Sequence, residues 1–151
     1  MQRHYQKMLE GDELTPSMYV NDVAKLFNTT VSRATERVGI SHGYRHILFH
    51  LAHNDGVTQL QLVKLTHLTA PTVSVALVKM EKEGLVRRET DEKDMRQVRV
   101  YLTAKGREKD DFVRNKCYET EEKMLSGVTE QEKKELCRDM KKIVINLMEN
   151  S

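Results

Sequence analysis

Residues 69–76 (TAPTVSVA) carry only small or uncharged side chains, although 32% of the whole chain is charged. The hydroxyl groups of Thr69, Thr72 and Ser74 can donate hydrogen bonds to phosphate oxygens or to the edges of bases. Small side chains at the tip of a helix also allow its backbone to approach another molecule closely, and free N–H groups at a helix start favour an anion. The segment therefore predicts a helix whose N-terminal end enters the groove of another molecule.

Basic side chains concentrate just after this segment. Residues 87–107 contain seven basic and four acidic residues in a chain whose formal net charge is +2. Arg96 stands near Asp94, which we expect to hold its guanidinium in place, and an arginine at the tip of a loop can enter a narrow minor groove. Arg88 and Arg99 lie on the flanking segments, where they could contact phosphate or brace the loop. Such a cluster is compatible with a polyanionic partner.

The elements that position these residues follow from apolar periodicity and capping residues. In the first third of the chain, a helix begins at Pro16 with Thr15 as its N-cap. A second helix covers about residues 41–53 and ends at the turn signal Asn-Asp-Gly of residues 54–56. Thr58 caps a short third helix.

Thr69 caps the fourth helix, and Gly84 is placed to end it in a left-handed conformation. Residues 85–88 and 97–102 have the alternating, β-branched character of two strands joined by a polar loop, which predicts a hairpin. Lys79, two turns into the fourth helix, is expected near a phosphate backbone. The buried face of this helix is predicted to consist of Val73, Leu77, Val78 and Met80.

Two helices complete the chain. Thr103 caps a long helix that runs to about residue 125 and stops before Gly127, and Thr129 with Glu132 forms a capping box for the last helix. The last helix carries an apolar stripe at coiled-coil-like spacing, which indicates that a second chain covers it: Leu136, Met140, Ile143 and Leu147.

Helix, short helix, turn, helix and hairpin is the order of a winged helix-turn-helix. The motif LxKL…TAPTVSVALVKMEKEGLVRR…DMRQVRVYLTAKG, between Leu62 and Gly106, resembles the MarR family of bacterial transcription regulators. The predicted fold class is mainly α with a small β-hairpin wing, flanked by N- and C-terminal dimerisation helices. We assign residues 1–40 to an N-terminal dimerisation region, 41–103 to the DNA-binding domain and 104–151 to C-terminal dimerisation helices.

The resemblance implies a homodimer on a pseudo-palindromic operator, with a recognition helix in the major groove and the wing in the minor groove. It also implies an effector cleft between the dimerisation helices and the DNA-binding lobe. Met95 departs from the family pattern, in which many members carry a further arginine at this position. The expected DNA-binding residues are Thr69, Ala70, Pro71, Thr72, Ser74, Val75, Lys79, Arg88, Asp94, Arg96 and Arg99.

Histidines recur on the second helix. His42, His46 and His50 stand at i, i+4 and i+8, and adjacent pairs at this spacing could ligate a divalent metal. The zinc-sensing pattern in this family also takes histidines from the long helix, and residues 104–126 contain none. We therefore predict no metal and no cofactor. Instead we expect Tyr44, His46 and His50 to contact a small-molecule effector, with an anionic aromatic compound as the hypothesis, so that binding depends on pH.

Cys117 and Cys137 form no CxxC pair, which indicates a reducing cytosol and thiols buried as small apolar groups. No Ser-His-Asp array, glycine-rich phosphate loop or HExxH motif is present, so no enzyme is predicted. No apolar run is long enough to cross a membrane. The expected function is a repressor released from its operator by the effector. The alternative is a metal- or redox-sensing regulator that uses the His42/His46/His50 face or the two cysteines.

Overall fold

A computed structural model describes residues 14–91 and 94–149, and 71% of the described residues are helical. The predicted fold class is confirmed, since a winged helix-turn-helix lies between longer helices. Residues 1–13 of the predicted N-terminal region lie outside the described residues. The elements are the helices α1 (Pro16–Glu36), α2 (His42–His53), α3 (Gln59–Thr66), α4 (Ala70–Lys82), α5 (Ala104–Met124) and α6 (Glu130–Glu149), and the strands β1 (Val57–Thr58), β2 (Val86–Thr90) and β3 (Val98–Leu102).

Capping side chains set most helix starts, and the sequence predicted those of Thr58, Thr69 and Thr103. The first N–H groups of a helix have no partner within the helix, and an N-cap oxygen satisfies one of them. The side chains of Ser41, Thr58, Thr69 and Thr103 each accept a hydrogen bond from the backbone N–H three residues later. Thr15 is the exception, because its side chain makes no such bond at the start of α1.

The hairpin belongs to a three-stranded antiparallel sheet of order β1-β3-β2. Strands β2 and β3 pair in the register Val86↔Leu102 to Thr90↔Val98, which confirms the predicted wing. Strand β1 was not predicted from the sequence. It has only two residues and pairs Val57 with Val100, so it is too short to show a period of two.

The core lies where α2, α3 and α4 meet the base of the wing. Ile47, Leu48 and Leu51 of α2 are fully buried. On α4 the prediction was wrong for Val78, whose side chain is 52% exposed. At 100° per residue, Val78 lies about 140° around the helix from Val73. The buried Ala76, Leu77 and Met80 all lie within about 60° of Val73.

The outer helices leave apolar surface uncovered. Helix α1 packs against α5, but no residue of α6 is buried within the described part of the chain. None of the helices in residues 14–91 and 94–149 has the length and apolarity that a membrane crossing requires. The exposed side chains of α6 include the whole predicted stripe, Leu136, Met140, Ile143 and Leu147.

A glycine permits the close approach of α5 to the wing. A Cβ at Gly106 would overlap the carbonyl oxygen of Leu85 and lie 2.9 Å from Leu102 Cδ2. We predict that Gly106→Ala lowers the free energy of unfolding by about 1–3 kcal/mol, because a backbone oxygen cannot move aside cheaply. Urea unfolding measures the change.

Gly43→Ala is the matched control, since the nearest atom to a Cβ there lies 4.0 Å away on Leu68. In this helical position alanine should be neutral or stabilising by up to about 1 kcal/mol. Equal stabilities of the two variants would show that the contact at Gly106 is not tight.

Candidate nucleic-acid interface and adjoining cleft

The start of α4 presents most of the predicted DNA-binding residues on an exposed helix end. Thr69 Oγ1 accepts a hydrogen bond from the Thr72 backbone N–H at 3.3 Å, and the two threonine hydroxyls lie 2.8 Å apart. Ser74 is half-buried, and the remaining predicted side chains of this helix are exposed: Thr69, Ala70, Pro71, Thr72, Val75 and Lys79. The predicted residues of this helix therefore share one exposed helix end.

A depression of about 450 Å³ lies between α4 and the start of α2. Its walls include Ser41, the N-cap of α2, and Lys79 of α4. Free N–H groups at the start of α2 and the ammonium of Lys79 are both suited to phosphate oxygens. The sequence did not indicate this part of the surface, because Ser41 and Lys79 come together only through the packing of α2 on α4.

Tyr44 lies on this depression and not in the cleft that holds the two predicted effector histidines. Its ring is buried, and its hydroxyl donates a hydrogen bond to Glu83 Oε1 at 3.3 Å. Burial, and then the Glu83 carboxylate, raise the pKa of Tyr44. The structure therefore separates Tyr44 from His46 and His50. Consecutive residues of a helix point about 100° apart, so residues 44 and 46 lie on different faces.

At the tip of the wing, Asp94 fixes the backbone. Its Oδ1 accepts a hydrogen bond from the Arg96 N–H at 3.1 Å, and its Oδ2 accepts one from Gln97 Nε2 at 2.9 Å. The expectation that Asp94 holds the Arg96 guanidinium was wrong, because the carboxylate binds these two other donors. Within the part of the chain that the structure describes, the guanidinium makes no ion pair. The exposed Arg96 side chain is thus presented by a fixed turn.

The two strand arginines brace the wing. Arg88 Nε donates to Glu81 Oε2 at 2.9 Å, which ties β2 to α4, and Arg88 lowers the pKa of Glu81 through this bond. Arg99 pairs with Asp91 and donates from Nη1 to the carbonyl oxygen of Gly56 at 2.8 Å. The sequence left open whether these arginines contact phosphate or brace the loop. The contacts in the structure favour bracing.

A second cavity, a cleft of about 470 Å³, opens between α1, α2 and α5. His46 and His50 line it, as predicted. The residues of α5 were not predicted, because the α5 sequence is mostly charged and its apolar residues show no clear period. The cleft is lined by Phe27, Asn28, Arg45, His46, Phe49, His50, His53, Asp110, Val113, Arg114, Cys117 and Tyr118.

The surroundings of the two cleft histidines lower their pKa values. Burial lowers the pKa of His46, and the neighbouring His42 and Arg45 lower it further. Burial and nearby histidines also lower the pKa of His50. His42 Nδ1 accepts a hydrogen bond from Arg45 Nη2 at 2.9 Å, which occupies one of its ring nitrogens. Among the described residues, no group of three or more His, Cys, Asp or Glu side chains is placed to hold a metal ion.

Two buried charged side chains face the same cleft. Asp110 is 1% exposed, and neither of its carboxylate oxygens accepts a hydrogen bond within the described residues, although Arg114 Nε lies 3.1 Å from Oδ2. Arg45 is 7% exposed and donates from Nη2 to Ser32 Oγ at 2.9 Å, but its Nε has no such partner there. Burial raises the pKa of Asp110. Unsatisfied polar groups beside a cavity favour a polar ligand.

The cysteines do not support redox sensing. Cys117 is half-buried on the cleft, and burial raises the pKa of its thiol, which lowers the thiolate fraction that oxidants attack. Cys137 is exposed, so the prediction that both thiols are buried was wrong for this residue. The reason is that α6, which carries Cys137, buries none of its residues in the described chain.

Comparison with known proteins agrees with this geometry. Residues 38–97 match the family model of the MarR family. The HTH-type transcriptional regulator BilQ of Clostridium symbiosum is 24% identical over 131 residues, which cover 87% of this chain and 91% of BilQ. The transcriptional regulator HosA of Escherichia coli is 41% identical over 56 residues, or 37% of this chain and 42% of HosA. A Staphylococcus aureus MepR–DNA complex superposes with a TM-score of 0.75 at 25% identity, over 89% of this chain and 99% of that one.

The buried carboxylate gives a pH-dependent prediction. Because the folded state raises the pKa of Asp110, the ionised group costs stability at neutral pH, and this cost disappears as the pH falls through the raised pKa towards the ordinary aspartate value. We expect Asp110→Asn to raise Tm at pH 7 and to lose this advantage near pH 4. Thermal unfolding across this range measures it.

Asp111→Asn is the matched control, because the Asp111 side chain is 62% exposed and pairs with the same Arg114. It should leave Tm nearly unchanged at either pH. A lower Tm for Asp110→Asn at pH 7 would show that the buried charge is stabilised by its surroundings.

Proposed function

We propose that this chain is a dimeric repressor of the MarR family, whose family model matches residues 38–97, and that a small-molecule effector releases it from a pseudo-palindromic operator. The observation that carries the proposal is the exposed, capped and uncharged start of α4 within that winged helix. The comparison supports it, since MepR, which this chain resembles over most of its length, has been solved bound to DNA.

The proposed DNA contacts divide between the two grooves. The N-terminal end of α4 enters the major groove, which is about 12 Å wide, and Arg96 enters the minor groove from the wing. Lys79 and the start of α2 bind the phosphate backbone. Arg88, Arg99 and Asp94 hold the wing in position. This assignment keeps the predicted residues and gives three of them a supporting role.

The proposed dimer uses the surface that the described chain leaves open. The apolar stripe of α6 is between 39% and 66% exposed, which is unfavourable for a lone helix in water. A groove of about 340 Å³ between α1 and α5, with Val23, Leu26, Phe27 and Met124 in its walls, offers a place for a partner helix. The stretches 1–40 and 104–151 are accordingly proposed as dimerisation regions and 41–103 as the DNA-binding domain.

The cleft is the proposed effector site. His46, His50 and the aromatic rings of Phe27, Phe49 and Tyr118 would pack against a planar ligand. The unpartnered Nε of Arg45 could bind an anionic group, in keeping with an anionic aromatic effector. Binding there would favour a dimer whose recognition helices no longer match half-sites about 34 Å apart.

Neither alternative function gains support from the cleft. A metal sensor would need three or more ligating side chains together, and the described residues offer none. A redox sensor would need a thiol of lowered pKa, whereas that of Cys117 is raised. We therefore keep the ligand-responsive regulator as the proposal, and we expect it to act in the cytoplasm.

A substitution at Arg96 tests whether the wing contacts DNA. We expect Arg96→Ala to weaken binding to labelled DNA from upstream of the coding region by about tenfold and to reduce the salt slope by about one, since one cationic contact is lost. Fluorescence anisotropy at several salt concentrations measures both. Arg138→Ala, which removes an exposed arginine of α6, should change neither. A winged helix that serves only protein contacts would show no effect of Arg96→Ala.

A substitution in the apolar stripe of α6 tests whether this helix holds a dimer together. Sedimentation velocity of the wild-type chain should give twice the chain mass of 17.6 kDa. Ile143→Asp places a charge in the apolar stripe and should shift the protein to 17.6 kDa. Ile145, which is also exposed but lies on the opposite side of α6, provides the control Ile145→Asp. A wild-type chain that sediments as a monomer would contradict the proposed dimer.

A further inference from the structure

Three apolar side chains form an outward-facing row along α4. Pro71, Val75 and Val78 follow one another at i, i+4 and i+7, so they lie on one side of the helix. Val75 is 57% and Val78 is 52% exposed, and Pro71 is exposed as well. We call these three residues the apolar row. Two exposed valines in successive turns of one short helix cost free energy in water unless another molecule covers them.

The polar groups of the same helix end are partly occupied within the protein. The hydroxyls of Thr69 and Thr72 lie 2.8 Å apart and bond to each other, and Thr69 Oγ1 also accepts the Thr72 N–H. Ser74 is half-buried, and the first charged side chain of the helix is Lys79. The surface that α4 offers to the centre of a groove is therefore mainly methyl and methylene groups.

The major groove offers one apolar feature, the 5-methyl group of thymine. The other base edges present hydrogen-bond donors and acceptors, which lose water without compensation against a valine. We propose that the apolar row reads thymine methyl groups, so that each operator half-site carries thymines opposite Val75 and Val78. This inference rests on the proposed function, because it requires α4 to occupy the major groove.

The size of the effect follows from the area buried. One methyl group transferred from water to an apolar contact changes an affinity roughly fourfold. A dimer that loses one such methyl in each of its two half-sites would bind roughly fifteenfold more weakly, and the loss is larger when both thymines of each half-site are replaced. Because the contact is apolar, the loss should not depend on salt, in contrast to the loss caused by Arg96→Ala.

Uracil substitution isolates the methyl group. Deoxyuridine lacks the 5-methyl of thymidine and keeps all of its hydrogen-bonding groups. Duplexes that bind the wild-type protein are first selected from a random-sequence pool. One selected duplex is then synthesised in two versions, with thymine or with uracil in its half-sites. Anisotropy titrations at two salt concentrations give the ratio of the two affinities. We expect a ratio of about ten or more at both.

Substitutions on α4 test whether the ratio of thymine to uracil affinities depends on the apolar row. The double variant Val75→Ala/Val78→Ala should bring the thymine-to-uracil ratio below about two, because both side chains that meet a methyl group are shortened. Val75→Thr keeps the branched shape, replaces one methyl with a hydroxyl, and should give an intermediate ratio. Ile145→Ala shortens an exposed β-branched side chain on the side of α6 away from the apolar stripe and should leave the ratio at the wild-type value. Circular dichroism confirms that each variant is folded.

The outcomes separate this inference from the proposed function. Sequence-selective binding with equal affinity for thymine and uracil duplexes would overturn the inference and leave the regulator proposal intact. A wild-type protein that prefers no sequence in the pool would overturn both. In that second case, a fall in sedimenting mass for Val75→Asp would assign the apolar row to a contact between copies of the chain.

Discussion

The packing of α4 on α2 decides which residues this molecule presents to a partner. Val73, Leu77 and Met80 are fully buried against the α2 core, and their spacing allows only one rotation of the helix about its axis. A helix held in this way must expose Pro71, Val75 and Val78 on the side away from its buried face. The interface is thus a consequence of the core.

Ionic contacts fix the wing relative to that helix. Arg88 joins β2 to Glu81 of α4, and Arg99 joins β3 to Asp91 and to the carbonyl oxygen of Gly56. Asp55 accepts the Leu102 N–H at 2.9 Å and pairs with Arg107 of α5, so the hairpin base is also tied to the long helix. The Arg99–Asp91 pair is worth more than an isolated surface pair, because its carboxylate is buried and Arg99 makes a further hydrogen bond to Gly56. The charged residues near the wing therefore serve mainly to position a few exposed ones.

The sequence predicted those features that depend on local chemistry. Three kinds of feature act within a few residues and were recognised: the caps of Thr58, Thr69 and Thr103, the left-handed Gly84, and the alternation in residues 97–102. Features that depend on tertiary contact were missed: strand β1, the outward direction of Val78, and the position of Tyr44 away from the histidines. The α5 half of the cleft was missed for the same reason, since the burial of Asp110 arises only when α5 packs beside α2.

Helix α2 is the element through which the cleft and the interface can influence each other. One of its faces carries Arg45, His46 and His50 into the cleft, while the adjoining face carries Tyr44 to Glu83 at the end of α4. A ligand in the cleft can shift the DNA-binding equilibrium only if its affinity differs between two positions of α2. The size of the shift is set by the difference between the two binding free energies. Because the α2 core is close-packed against Leu77 and Met80, a rotation or translation of α2 must carry α4 with it. The same packing that presents the apolar row would then transmit a change in the cleft to the DNA.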